Sequence, residues 1–242
     1  FSNAHVSRVN SVTLSPDKNI LLTAGEDGKT IVWDLKTFQP LSDPITGYSI
    51  FSPGGKFVAF VDGIKNTTTL WSLASQQVIG RPFSGQNVIF SVDEKFVTVG
   101  DAIKNTVTLW DLTVEQAIGE PLVAQSTAFS PDSKTLAVMD GYTTTLWDLT
   151  TQKVIGEPIT GQSVIFSPDS RILAASVYDP ISYTTKYTLF DLPTLQAVGE
   201  PFQGSLLTIP DVKDAFIVVE PIKNTVTFWE SKTKKPVAVI DG

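Results

Sequence analysis

Apolar and polar positions alternate along this chain in short bursts of about four to eight residues, separated by Gly, Pro, Asn, Asp and Ser. Alternation over that length marks half-buried β-strands, and no stretch of useful length carries a helical period. Residues 123–161 show the unit. Ser126 to Phe129 reads as a first strand, closed by the turn Ser130-Pro131-Asp132-Ser133. Thr135 to Met139 reads as a second. Thr143 to Trp147 is a third, with Thr and apolar residues alternating as a pleated sheet favours. Beyond Asp148-Leu149-Thr150-Thr151, a fourth runs from Lys153 to Ile159.

That unit recurs. An aromatic followed by a mostly acidic residue appears at Trp33-Asp34, Trp71-Ser72, Trp110-Asp111, Trp147-Asp148, Phe190-Asp191 and Trp229-Glu230, with spacings of 38, 39, 37, 43 and 39. A second marker keeps the same beat: Ser15-Pro16-Asp17, Ser52-Pro53-Gly54, Ser91-Val92-Asp93, Ser130-Pro131-Asp132, Ser167-Pro168-Asp169 and Ile209-Pro210-Asp211. Two markers in phase over six periods define a repeat protein. The repeats span approximately 1–44, 45–83, 84–122, 123–159, 160–202 and 203–242, and are expected to form one domain. The fourth segment holds Pro82, Pro121, Pro158 and Pro201, with Pro44 in a variant, beside Arg81, Glu120, Glu157 and Glu200. Proline cannot donate to a ladder, so this segment is expected at a sheet edge, where proline and charge oppose aggregation.

These residues resemble the WD-repeat family over the whole chain. The first copy is the fullest: Ala4-His5, Val9 to Leu14, Ser15-Pro16-Asp17, Gly25-Glu26-Asp27-Gly28 and Trp33-Asp34. The resemblance implies an all-β fold, a β-propeller of six four-stranded antiparallel blades; part of a seven-bladed or larger propeller is the alternative. It also implies a buried hydrogen-bond network of His5, Thr23, Asp27 and Trp33. The other copies depart from the pattern, with Tyr48, Gln86, Gln125, Gln162 and Ser205 at the histidine position. Nine residues separate His5 from Ser15, but only four separate Gln162 from Ser167. The link between one blade's outer strand and the next blade's inner strand is therefore trimmed. In relatives that link lies on a face that often receives partners.

Composition narrows the function classes. The chain has 242 residues, no cysteine, one histidine and a formal net charge of −7. Disulfides and cysteine–metal sites are ruled out, and the absence of cysteine fits a reducing, cytoplasmic setting. The negative balance opposes non-specific nucleic-acid binding and docking on an anionic membrane. No apolar run is long enough for a transmembrane helix. The chain starts at Phe1 with no signal-like segment after it, which reads as a piece of a larger protein.

No catalytic set, cofactor motif or metal-ligand spacing stands out. His5 has no second histidine or cysteine to share a zinc ion. The acidic residues Asp17, Asp93, Asp132, Asp169 and Asp211 sit in turns, where such side chains bond to nearby backbone. The sequence Ile-Lys-Asn-Thr occurs three times, at 64–67, 103–106 and 222–225, between second and third strands. Asn suits a positive φ there, and Lys65, Lys104 and Lys223 are expected to mark one face, with Lys29 nearby. The Ser-Pro-Asp turns are expected on the opposite, acidic face. A lysine-bearing face suits an acidic segment of a protein partner. The fifth copy carries an insertion at the same turn, Tyr178-Asp179-Pro180-Ile181-Ser182-Tyr183, and Tyr178, Ile181 and Tyr183 have the character of an interaction hot spot. The expected function is a non-catalytic protein-interaction scaffold, as a regulatory or recognition domain of a larger protein or complex. The alternative is an enzyme or small-ligand binder using a central propeller channel.

Overall fold

The structure is a computed structural model and describes residues 5–208 and 214–241. Those residues form strands and turns and no helix. The chain divides into two compact units, Phe1–Val123 and Ala124–Gly242, each built from three antiparallel sheets. The marker Ile209-Pro210-Asp211 and residue Ala4 lie outside the described residues.

In the first unit, blade 1 holds Val9–Leu14, Ile20–Gly25 and Lys29–Asp34, with an outer strand in two pieces, Gln39–Pro40 and Ile45–Thr46. Blade 2 holds Tyr48–Phe51, Phe57–Asp62, Thr67–Ser72 and Gln77–Ser84. Blade 3 holds Asn87–Phe90, Phe96–Asp101 and Thr106–Asp111, then Gln116–Ala117 and Leu122–Val123. In the second unit, blade 4 holds Ser126–Phe129, Thr135–Met139, Thr143–Asp148 and Lys153–Thr160. Blade 5 holds Ser163–Phe166, Ile172–Asp179 and Thr184–Asp191, then Gln196–Ala197 and Phe202–Gln203. Blade 6 holds Ser205–Thr208, Ala215–Glu220, Thr225–Glu230 and Lys235–Asp241. The expected prolines lie in the outer strands or at their breaks. Pro82 and Pro158 fall inside continuous strands, while Pro44, Pro121 and Pro201 each precede a second piece.

Within each unit the core lies between successive blades. Leu22 and Val32 of blade 1 pack with Val58, Phe60 and Trp71 of blade 2. Ala59, Leu70, Ile79 and Phe83 of blade 2 pack with Phe90, Val97 and Val99 of blade 3. Blade 4 meets blade 5 through Met139 and Leu146 against Val164, Phe166 and Leu173. Blade 5 meets blade 6 through Leu189 and Phe202 against Phe216 and Val218. The middle strands are buried on both faces, which explains their near-continuous apolar runs.

The trimmed links have a steric basis. Gly47 and Gly85 have φ of 113° and 117°. A Cβ at either would sit 2.4 Å from Val61 O or 2.3 Å from Gly100 O, so only glycine lets the chain pass so close to the next blade. A buried threonine holds each crossing: Thr30 Oγ1 donates to Gly47 O at 2.7 Å and Thr68 Oγ1 to Gly85 O at 2.8 Å.

At the other end of blades 1, 4 and 5, the Ser-Pro-Asp turns cap themselves. Asp17 Oδ1 accepts from Ser15 Oγ at 2.6 Å and from Asn19 N at 3.1 Å. Asp132 and Asp169 take the same bonds in blades 4 and 5. Blade 2 has Gly54 at the aspartate position, and its turn is capped from blade 3. Glu94 Oε1 accepts from Ser52 Oγ, from Gly54 N at 2.8 Å and from Lys56 N at 3.2 Å, with Lys56 Nζ 3.3 Å from Oε2.

The insertion in the fifth copy sits differently from the sequence expectation. The turn Asp179–Thr184 has the same length as Asp62–Thr67 of blade 2. The extra residues lengthen the two flanking strands, Ile172–Asp179 and Thr184–Asp191, to eight residues each where blade 2 has six. Two more residues per strand preserve which side chains face which way, so the hairpin grows outward without disturbing its core face.

Candidate functional site

Blade 1 joins the four residues of its expected network. The Trp33 indole donates to Thr23 Oγ1 at 2.9 Å, and the same oxygen lies 2.9 Å from His5 Nε2. His5 Nδ1 is 3.2 Å from both oxygens of Asp27. Burial opposes the charge on Asp27, but bonds from His5 and from the Lys29 and Val6 amides outweigh it, and its pKa is lowered. An ionised carboxylate only accepts, so His5 Nδ1 carries the proton. The network ties the segment before the first strand to the blade.

The repeated Ile-Lys-Asn-Thr turns share one construction. Asn66, Asn105 and Asn224 have φ of 53°, 52° and 55°, as turn chemistry demands. In the first two the preceding carboxylate accepts the turn's amides, and in the third the Glu220 main-chain carbonyl accepts Lys223 N at 3.1 Å. Asp62 Oδ1 takes Ile64 N at 3.1 Å and Lys65 N at 3.0 Å, and these bonds, led by the Lys65 amide, lower its pKa despite burial. Asp101 is held lower still. The Ser84 hydroxyl is the chief cause, at 2.5 Å, joined by Asn66 Nδ2 from the neighbouring turn at 3.0 Å.

The lysines answer to these same carboxylates. Lys65 Nζ lies 3.5 Å from Asp62, Lys104 Nζ 3.3 Å from Asp101, and Lys223 Nζ 2.8 Å from Glu220. Each expected basic marker is thus neutralised within its own turn. The side chain each turn presents to solvent is instead its isoleucine: Ile64, Ile103 and Ile222 are 99%, 77% and 78% exposed. Sequence reading passed over these positions, although their recurrence was visible.

In the second unit, the lengthened hairpin exposes Tyr178, Ile181 and Tyr183 to 45%, 89% and 81%. Its turn is internally bonded. Asp179 accepts from Ile181 N at 2.9 Å and from Ser182 Oγ at 2.7 Å, and its pKa is lowered, chiefly by the Ser182 hydroxyl. Tyr178 N donates to Gln162 Oε1 at 3.0 Å, tying the hairpin to the crossing from blade 4. Tyr183 takes the positive-φ position, at 56°, that asparagine holds in the other turns. The three apolar side chains therefore project from a braced support.

Among the described residues, no group of three or more His, Asp or Glu side chains is placed to hold a metal ion.

The family model "WD domain, G-beta repeat" matches residues 2–34, the segment that carries the His5–Thr23–Trp33 network. Residues 2–34 are thus similar to a WD repeat. WD repeats typically mediate protein–protein interaction. Beyond this segment, the chain is similar in structure to a chain of Kuenenia stuttgartiensis hydrazine synthase, at 13% identity and a TM-score of 0.51. That likeness covers all of this chain and 90% of the other, and it bears on fold alone. With six antiparallel sheets and no helix among the described residues, the chain has the fold class of a β-propeller.

Proposed function

We propose that the chain is a non-catalytic protein-interaction scaffold, and that the hairpin Tyr178–Tyr183 is one of its contact sites. The observation that carries this reading is the exposure of two tyrosines and an isoleucine on a turn already braced by Asp179 and Gln162. Aromatic side chains on a pre-organised support bind with little ordering cost. The turns bearing Lys65 and Lys104 in the first unit, and Lys223 in the second, are further contact sites in this reading. Ile64, Ile103 and Ile222 supply the apolar contact there, and an acidic partner segment would reach Lys65, Lys104 and Lys223 only by displacing the carboxylates paired with them.

The test is a photo-crosslinking amino acid at position 181, in the intact chain, with and without Tyr178→Ala and Tyr183→Ala. A discrete crosslinked protein that disappears in the double variant, at unchanged melting temperature, supports the reading. Crosslinks that persist after both tyrosines are removed would discard the hairpin as a contact site.

A further inference from the structure

We propose that the outer strand of blade 6, Lys235–Asp241, is a self-association surface, to which a second copy of this chain adds the same strand antiparallel. This surface is independent of the hairpin of blade 5, and the two readings stand or fall separately.

An outer strand leaves one row of backbone groups without a ladder partner, and folds commonly blunt such a row. Five of the blades are blunted along their length. The outer strands of blades 1, 3 and 5 are broken into pieces of two residues. Those of blades 2 and 4 lose register around Gly80-Arg81-Pro82 and Gly156-Glu157-Pro158, with both glycines at positive φ.

Blade 6 departs from this plan. Its outer strand lies at the edge of its sheet, runs seven residues and contains no glycine. Ala238, Val239, Ile240 and Asp241 pair with four successive residues of the strand beside them. Pro236 stands next to the first residue, where it removes a single donor. All seven residues are exposed, among them Val237, Val239 and Ile240, side chains that suit a pleated surface. Strand addition needs such an open, continuous edge.

The charges select the occupant. Lys235 opens the strand and Asp241 closes it, with no charged residue between them. Among the described residues neither forms an ion pair, although Glu230 lies across the ladder from Lys235. Two copies paired antiparallel about Ala238 set each Lys235 opposite the other copy's Asp241. Pro236 then faces Ile240, and Val237 faces Val239. Opposite charges facing across a ladder stabilise it, and like charges there destabilise it. Parallel pairing in register would set lysine against lysine and aspartate against aspartate. The strand is therefore complementary to itself when antiparallel, as a two-fold interface requires.

Sedimentation velocity of the intact chain over a concentration series measures the association. The expected result is a reversible dimer that added salt weakens, with amide exchange at residues 237–241 slowing as it forms. Lys235→Glu alone, or Asp241→Lys alone, turns both facing pairs into like charges. Each should raise the dimer dissociation constant about tenfold. The double variant exchanges the two charges and should recover most of the loss, and so should an equimolar mixture of the single variants. Both positions are exposed, and an unchanged melting temperature shows that the variants still fold. A chain that stays monomeric at millimolar concentration, a dimer indifferent to both single changes, or a double variant as weak as the single ones would overturn the proposal.

Discussion

The carboxylate of Glu94, in blade 3, occupies the space beside Gly54 of blade 2 that an aspartate side chain fills in the turns at Asp17, Asp132 and Asp169. A Cβ at Gly54 would lie 2.6 Å from Glu94 Oε2, so the two residues exclude each other's alternatives. A turn that other blades complete locally is completed here from 40 residues away.

Exchanging the arrangement tests it. Glu94→Gly leaves Ser52 Oγ and the Gly54 and Lys56 amides without their acceptor, and should destabilise the first unit by about 1–3 kcal/mol. Glycine is the fitting replacement because Glu94 has a φ of 59°. Gly54→Asp alone should also destabilise, by collision and like charge. The two changes together should recover most of the loss, since the aspartate then caps its own turn. Urea unfolding of the four proteins measures the coupling, and simple additivity would refute it.

The same carboxylate gives a pH dependence. Burial opposes the charge on Glu94, but the Ser52 hydroxyl and the Lys56 and Gly54 amides outweigh it, and its pKa falls below the ordinary 4.5. A group with a lowered folded pKa contributes fully above its unfolded value and loses that contribution as pH falls through its folded value. Glu94→Gln should therefore cost stability at neutral pH, and the deficit should shrink as pH drops below about 4.5. Asp17 follows the same rule over a lower window. The Ser15 hydroxyl and Asn19 bring it from 3.8 to about 2. The difference between Asp17→Asn and the parent should therefore persist to more acidic conditions. Chemical unfolding at several pH values gives both curves, and a deficit that does not narrow on acidification contradicts the assignment.

Trp110 offers a third prediction. In blade 1 the residue two beyond Trp33's cross-strand partner is Thr23, which accepts the indole N–H. In blade 3 the corresponding residue is Val99, and Trp110 Nε1 is buried with no hydrogen-bond partner among the described residues. Val99→Thr keeps the shape and supplies an acceptor, so it should stabilise by about 0.5–1.5 kcal/mol. Trp110→Ala should cost about 3–5 kcal/mol, because the ring packs edge-on against Phe83 at 4.6 Å within the core between blades 2 and 3. Thermal unfolding distinguishes the cases. A lower melting temperature for Val99→Thr would mean that the unpaired N–H carries no recoverable cost.

Most of the blade plan was legible because its signals are local. The Trp-Asp and Ser-Pro-Asp markers each fix one turn by chemistry within a few residues, and they recur in phase. The His5–Asp27 relation was legible only through family resemblance, since nothing in the spacing places residue 5 against residue 27. Glu94 was illegible for a related reason. Its role depends on an absence at Gly54, and the two are joined only once the blades stack. The lysine pairs were within reach: Asp62 precedes Lys65 by three residues, as Asp101 precedes Lys104, and the turn brings them together. Reading lysine as free charge overlooked that proximity, and it drew attention away from the isoleucines that solvent meets first.

The hairpin of blade 5 has a consequence for remodelling. Its ladder is four residues longer than that of blade 2, shared equally between the strands, while the turn at its tip is unchanged in length. Growth by one residue per strand would swap inward and outward side chains, whereas growth by two leaves every inherited contact in place. An added length of four residues, two per strand, is thus the step this hairpin accommodates with its two faces intact. A peptide grafted there in such steps would extend the reach of one blade without asking the other five to adapt.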